Sequence, residues 1–325
     1  MVALFREKSA AGVFWLIVLS ILLHLHFFIS PPQIHISKND GFIYLLSEPL
    51  NFLPSAVITM LYHLIVVLQA LRLNYILNDL RMFYKTAFTT AMAYIMLTAL
   101  YPSWNNLTPS LLMNSSFIWL IYRFAKLYNS PNPKTLIFNI GLITGLTVLL
   151  FYPACLLVLV MFLGLAILRP FRPNEWLVLF MGIATPFYFL AAVLYLQNNI
   201  SLLSSSLQEF HLHLLPPADK IPMITSTIIL GILFLAGFYI WQMNSGRMVI
   251  QSRKNWSVLL LMALLFIPVI FLKPTGFDYL LLTMVPVAAF SSNIFLYPRN
   301  NLLPNFLFWC VAAVIIYNNW IWLKN

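Results

Sequence analysis

Long apolar stretches alternate with short polar connectors along the whole chain. Most are about 17 to 25 residues long, which is what an α-helix needs to cross a hydrocarbon core of roughly 30 Å. Eleven stretches can be counted, at residues 12–30, 53–72, 86–102, 107–127, 135–152, 153–169, 176–197, 222–243, 256–272, 278–296 and 303–322. The pattern predicts an all-α integral membrane protein with about eleven transmembrane helices in one polytopic domain, residues 1–325.

The composition excludes an ordinary soluble domain, because 62% of the residues are hydrophobic and only 8% are charged. The formal net charge is nevertheless +10. Basic loops that lie against an anionic inner leaflet account for this charge, so we expect membrane lipid and not nucleic acid as the partner.

The cationic residues divide unequally between alternate connectors. Fourteen of the eighteen lie in or beside one set: Arg6, Lys8, Arg72, Arg81, Lys85, Arg123, Lys126, Lys134, Arg169, Arg172, Arg247, Arg253, Lys254 and Arg299. The other set and the carboxy terminus hold only Lys38, Lys220, Lys273 and Lys324. The positive-inside rule then predicts a cytoplasmic amino terminus and an external carboxy terminus.

Two external connectors are long enough to build structure. Residues 31–52 begin with two prolines, continue into a turn at Asn39-Asp40-Gly41, and end in a short apolar stretch that predicts an interfacial helix. Residues 198–221 form the second long connector. By contrast, the stretches before and after Pro153 meet without a loop, which predicts a tight hairpin or a pair of short helices.

The acidic residues suggest where chemistry takes place. Five of the eight fall on the external side: Asp40, Glu48, Glu209, Asp219 and Asp278. Asp40 is the candidate general base, because a carboxylate just after the first crossing can deprotonate or orient an acceptor hydroxyl. Glu48 follows eight residues later and could help to orient that acceptor. Alternatively, Asp40 belongs only to a turn and Glu48 to the wet edge of an interfacial helix.

External cations and histidines complete the predicted site. Lys220 and Lys273 are candidates for binding a lipid-linked phosphate, although each could instead pair with a nearby acid, Asp219 or Asp278. The candidate substrate-binding histidines are His35, His211 and His213. No metal or other cofactor is predicted, since the sequence has neither a metalloprotease motif nor a Walker or dinucleotide-binding motif.

His63 lies near the middle of its segment, where an ionisable residue is a functional candidate. The alternative is a structural imidazole that is hydrogen-bonded to a neighbouring helix.

Three sequence features carry a resemblance: the opening Met-Val-Ala-Leu-Phe-Arg-Glu-Lys, the Asn39-Asp40-Gly41 turn after Pro31-Pro32, and Arg169-Pro-Phe-Arg-Pro-Asn-Glu-Trp176. On these features the chain resembles a family of polytopic inner-membrane proteins of Bacteroidetes whose function is unassigned. The resemblance implies a location in the bacterial inner membrane. More distantly, the order of features over residues 12–197 is similar to the glycosyltransferases of the C superfamily.

The second resemblance implies a glycosyltransferase-like core at residues 12–197, an external loop at 198–221 and carboxy-terminal helices at 222–325. It also implies transfer of a sugar from a polyprenyl-phosphate donor at the external leaflet, with Asp40 as the base. Many members of that superfamily carry a paired acidic motif where this chain has Asn39-Asp40-Gly41. The alternative hypotheses are a non-catalytic scaffold in a cell-envelope complex and, third, a small-molecule transporter.

Overall fold

The computed structural model describes residues 1–7, 9–37, 40–46, 52–128, 130–199, 220–272, 276–298 and 300–321. The described part is 80% helical and contains no strand. Its eleven α-helices are α1 Ala10–Leu23, α2 Ser55–Asp79, α3 Thr89–Thr98, α4 Pro109–Ala125, α5 Pro133–Leu150, α6 Leu156–Leu168, α7 Pro173–Leu196, α8 Lys220–Ser245, α9 Ile250–Phe266, α10 Met284–Leu296 and α11 Leu302–Ile321. One helix lies within or overlaps each predicted stretch, which confirms the all-α architecture.

Seven of the helical segments in the described residues are long and apolar enough to cross a membrane. They are Ser55–Asp79, Pro133–Leu150, Pro173–Leu196, Ile221–Ser245, Ile250–Phe271, Phe277–Leu296 and Leu302–Trp320. The helices α1, α3 and α6 are shorter. These properties are typical of a multi-pass membrane protein.

The shorter helices depart from the predicted bounds. The α-helical part of the predicted stretch 86–102 is only the ten residues of α3, which rise about 15 Å. Pro102 begins a separate 3₁₀ helix, Pro102–Asn105. The stretch 12–30 likewise changes from α1 to a 3₁₀ helix, Leu25–Phe28. The hydrophobic pattern overestimated the length of both α-helices, because it does not distinguish an α-helix from a 3₁₀ helix.

The cation-rich connectors meet at one end of the bundle, which we call the basic end. The Arg6 Nε donates to the carbonyl of Phe295 at 2.7 Å, which joins the segment before α1 to the end of α10. The Trp256 indole donates to the carbonyl of Met82 at 3.2 Å, joining α9 to the connector between α2 and α3. The Lys254 ammonium donates to the carbonyl of Leu168 at the end of α6.

The other set of connectors meets at the opposite end, which we call the cavity end because a large cavity opens there. The Trp104 indole donates to the carbonyl of Phe277 at 3.2 Å. The Asn318 amide of α11 donates to the carbonyl of Leu100 at 2.9 Å, close to the end of α3. Helix α3 therefore runs between the same two ends as the longer helices.

Helices α3 and α10 form the centre of the bundle. Every residue of each is buried, and the two helices pack against each other. Around them, α5 and α7 approach closely, because Gly141 faces the α7 backbone. A Cβ atom at Gly141 would lie 2.6 Å from the carbonyl oxygen of Leu179.

The chain reverses near Pro153, where a 3₁₀ helix, Tyr152–Cys155, separates α5 from α6. The two helices do not form a closely packed hairpin, since α6 packs mainly against α9 and α5 mainly against α7. The predicted reversal is therefore present, but each helix finds its principal partner elsewhere.

Candidate active site

A cavity of about 810 Å³ opens at the cavity end of the bundle. Its lining comes from residues 26–37 and Asp40 after α1, residues 102–110 between α3 and α4, Asp278 and Tyr279 before α10, and Asn319 near the end of α11. Three connectors and one helix that are distant in sequence thus contribute to one space. The Ile34 backbone pairs with Leu107 and holds the first two segments together.

Asp40 lies in the wall of this cavity and is only 5% exposed. One carboxylate oxygen accepts a hydrogen bond from the Tyr279 hydroxyl at 2.8 Å. The other accepts from the backbone N–H of Ser37 at 3.1 Å. Asp40 does belong to a turn, as its own N–H donates to the carbonyl of Ser37. The turn and the buried carboxylate are therefore features of the same residue.

Gly41 explains why the turn has this sequence. Its φ of +116° is a conformation that residues with a side chain rarely adopt, and a Cβ there would lie 2.5 Å from the carbonyl oxygen of Leu150. Only glycine lets the connector pack this closely on the end of α5. Beyond Gly41 the described residues form a short 3₁₀ helix, Phe42–Leu46, where sequence predicted the interfacial helix. Its Ile43 is buried.

Asp278 is the second carboxylate of the cavity. The Ser103 hydroxyl hydrogen-bonds to it, and it lies close enough to Asp40 for the two charges to interact. Sequence analysis counted Asp278 among the external acids but gave it no catalytic role, and considered it as a surface partner for Lys273, which lies outside the described residues. No local signal links residues 40, 103 and 278, because their proximity arises from the folding of three separate connectors.

The other predicted site residues divide into two groups. His35 lines the cavity, and its backbone N–H donates to the carbonyl of Leu107 at 3.2 Å. Glu48, Lys273, His211 and His213 lie outside the described residues. Lys220 is the first residue of α8, but its side chain is outside the described part. The roles predicted for these residues stay predictions.

Neutral polar groups make up much of the remaining lining. His26, Asn105 and Asn319 are buried there, and the Asn105 amide donates to Asn319 Oδ1 at 2.9 Å. Among the residues described, the lining contains two carboxylates and neither Lys nor Arg. No group of three or more His, Cys, Asp or Glu residues in the described part is arranged to hold a metal ion.

His63 lies outside this lining. Its Nδ1 is 2.9 Å from the Ser20 hydroxyl of α1, a hydrogen bond between helices. The ring also packs edge-on against His24. These contacts agree with the structural interpretation of His63.

A second cavity, of about 910 Å³, lies at the basic end between the starts of α5 and α7. Lys134, Arg172 and Glu175 are among its lining residues. Glu175 is already engaged by Arg169, which binds both of its carboxylate oxygens, at 3.0 and 3.2 Å. The first cavity is the better candidate for catalysis, because no Lys or Arg side chain in its described lining neutralises its two carboxylates.

The chain matches no protein-family model, no curated protein and no solved structure at a significant level. The resemblances drawn from the sequence therefore remain predictions, and the geometry of the cavity is the basis for any assignment of function.

Proposed function

We propose that this protein is a multi-pass inner-membrane glycosyltransferase that acts at the external leaflet on a polyprenyl-phosphate-linked sugar. The observation that carries the proposal is the pair of carboxylates, Asp40 and Asp278, in one cavity at the end of the bundle opposite the cation-rich connectors. A buried acid that is held by fixed donors and faces a cavity of this size is a reasonable candidate for acid–base catalysis.

In the proposed reaction, Asp40 takes the proton of an acceptor hydroxyl as the hydroxyl oxygen attacks the anomeric carbon of the donor. A carbon–oxygen bond forms to the acceptor, and the bond between the anomeric carbon and the phosphate oxygen breaks. Polyprenyl phosphate leaves with the electron pair of that bond. Asp278 orients the acceptor, while Tyr279 and the Ser37 N–H hold the Asp40 carboxylate in place.

The orientation is part of the proposal and can be tested separately. Contacts within the bundle bring alternate connectors together at opposite ends, as eleven crossings require. In a background without Cys155 and Cys310, a Ser30→Cys variant should react with a membrane-impermeant maleimide in intact cells. A Ser245→Cys variant should react only after permeabilisation. The reverse pattern would place the cavity on the cytoplasmic side.

The catalytic proposal calls for a transfer assay in proteoliposomes that contain radiolabelled polyprenyl-phosphate sugars and a membrane extract as the source of acceptor. Asp40→Asn should lower transfer about 100-fold or more, the usual contribution of a general base. Asp278→Asn should also lower it, whereas Asp79→Asn at the basic end serves as the matched control. Transfer retained by an Asp40→Ala variant would refute the role of Asp40.

The second candidate is a non-catalytic scaffold in a cell-envelope complex. It is favoured by the large apolar side chains on the outer surface of α7 and α8, such as Tyr188 at 70% exposure and Leu235 at 64%. Such a surface suits a protein partner as well as lipid. A stoichiometric protein that copurifies, together with no bound polyprenyl lipid, would favour the scaffold over the enzyme.

A transporter receives less support. Gln69, Tyr94 and Asn114 are polar residues in the middle of the bundle, but they hydrogen-bond to one another. Their arrangement joins α2, α3 and α4, which is a structural use of those groups.

A further inference from the structure

Two buried polar atoms of the cavity residues lack a hydrogen-bond partner within the described part of the chain. They are Nδ1 of His26 and Oδ1 of Asn105. Both residues line the cavity, and they are only 7% and 3% exposed. A buried donor or acceptor without a partner is unfavourable, so such a pair in a cavity wall offers two groups that water or a ligand in the cavity can satisfy.

A chain of hydrogen bonds determines which of these atoms is a donor and which is an acceptor. The Asn319 amide nitrogen donates to the carbonyl of Ala99 at 3.1 Å, which leaves Asn319 Oδ1 to accept from Asn105 Nδ2 at 2.9 Å. This arrangement sets the Asn105 amide, whose Nδ2 also faces Nε2 of His26 at 3.5 Å. Because Nε2 faces a donor, a neutral His26 ring carries its proton on Nδ1.

His24 does not change this assignment, although it also approaches Asn105. Its Nδ1 lies 2.7 Å from the carbonyl of Ser20 and therefore donates. The Nε2 atom of a neutral His24 is then an acceptor and cannot satisfy Asn105 Oδ1. One unpaired donor, on His26, and one unpaired acceptor, on Asn105, remain in the wall.

A hydroxyl group complements this pair, because it can donate to Asn105 Oδ1 and accept from the His26 Nδ1–H at the same time. A phosphodiester or a carboxylate offers only acceptors and would leave Asn105 Oδ1 unsatisfied. An ammonium group offers only donors and would leave His26 unsatisfied. The chemistry of the wall therefore favours a neutral group that both donates and accepts a hydrogen bond, as a hydroxyl does.

We propose that His26 and Asn105 form a subsite for a sugar hydroxyl, with Asn319 as the residue that positions Asn105. The inference rests on the proposed function, which it deepens by assigning the recognition of an uncharged sugar to this wall, apart from the carboxylates. The volume of about 810 Å³ is within the range of roughly 300–1,000 Å³ typical of small-molecule sites.

The test uses purified full-length protein in nanodiscs and a panel of neutral methyl glycosides: methyl glucoside, galactoside, mannoside and N-acetylglucosaminide. Binding is measured by saturation-transfer difference NMR. Wild type should bind at least one of them, and His26→Phe should bind it about tenfold more weakly, the effect of losing one hydrogen bond. His26→Asn keeps an N–H donor in that position and should restore most of the affinity.

His63→Phe is the matched control, because it alters a histidine outside the cavity and should leave the affinity unchanged. Thermal unfolding verifies that each variant is folded. If no glycoside binds to wild type, or if folded His26→Phe binds as wild type does, the subsite does not exist. Displacement of the bound glycoside by inorganic phosphate would also overturn the assignment of a neutral ligand.

Failure of the subsite can be separated from failure of the transferase proposal. If both hold, Asp40→Asn binds the glycoside but does not transfer sugar. Glycoside binding that depends on His26, in a wild-type protein that transfers no sugar, would support the subsite and refute the enzyme. Transfer that depends on Asp40 but is unchanged by His26→Phe would support the enzyme and refute the subsite.

Discussion

Replacing Glu175 by Gln removes the negative charge that holds Arg169 in place at the basic end. The two side chains form a two-pronged ion pair, with N–O distances of 3.0 and 3.2 Å, and their side chains are only 12% and 5% exposed. Arg169 also donates to the carbonyls of Leu127 and Ser130, at 2.8 and 3.2 Å. One guanidinium therefore joins the end of α6 to the connector after α4 and to the start of α7.

The expected loss follows from these contacts. Breaking a buried pair by removing one partner destabilises a protein by about 3–5 kcal/mol, because the remaining charge is left uncompensated. In Glu175→Gln the amide oxygen still accepts one hydrogen bond, and Arg169 keeps both carbonyls. We therefore expect a loss of about 2–3 kcal/mol in the free energy of unfolding.

The assay is unfolding in mixed detergent micelles with increasing SDS, followed by circular dichroism. Arg172→Gln is the matched control, since its side chain is 63% exposed and lies 3.8 Å from Glu175. It should change the stability by less than about 0.5 kcal/mol. If Glu175→Gln and Arg172→Gln have the same small effect, Arg169 is not a structural clamp and the reasoning fails.

Two further substitutions test the packing and the cavity. Gly141→Leu forces a side chain against the carbonyl of Leu179 and should destabilise the protein by about 1–3 kcal/mol or more. The same unfolding assay measures this loss, and an unchanged unfolding midpoint would show that α5 and α7 are not closely packed there. Tyr279→Phe removes the donor to Asp40 and should lower stability by about 1–2 kcal/mol, a loss that should shrink when Asp40→Asn is also present. An equal loss in both backgrounds would mean that the two side chains are not coupled.

Much of the fold could be predicted from sequence because crossing a membrane imposes a length and a composition on every helix. The eleven predicted stretches each correspond to a helix. The bounds were displaced most for α9, by six residues at each end, while α3 has only ten residues where the sequence predicted seventeen. The apolar stretch continues past the end of α3 to Pro102, where a 3₁₀ helix begins, and hydrophobicity alone does not mark such a change.

The candidate site was less predictable. Asp40 stands out in the sequence because it is an acid just after an apolar stretch. Asp278 and Asn105 join it only through contacts between residues more than 60 positions apart, for which a single sequence contains no periodic signal. The pairing of His26 with Asn105 depends in addition on the amide orientation set by Ala99, which only the folded arrangement reveals.

The central claim is that Asp40 faces a lipid-linked sugar donor. Native mass spectrometry of the protein, extracted gently from its own membrane, tests this most directly by comparing wild type with Asp40→Asn. The account predicts a polyprenyl-phosphate species bound to wild type that is lost or altered in the variant. A wild-type protein that carries no such lipid and copurifies with a stoichiometric protein partner would contradict the account.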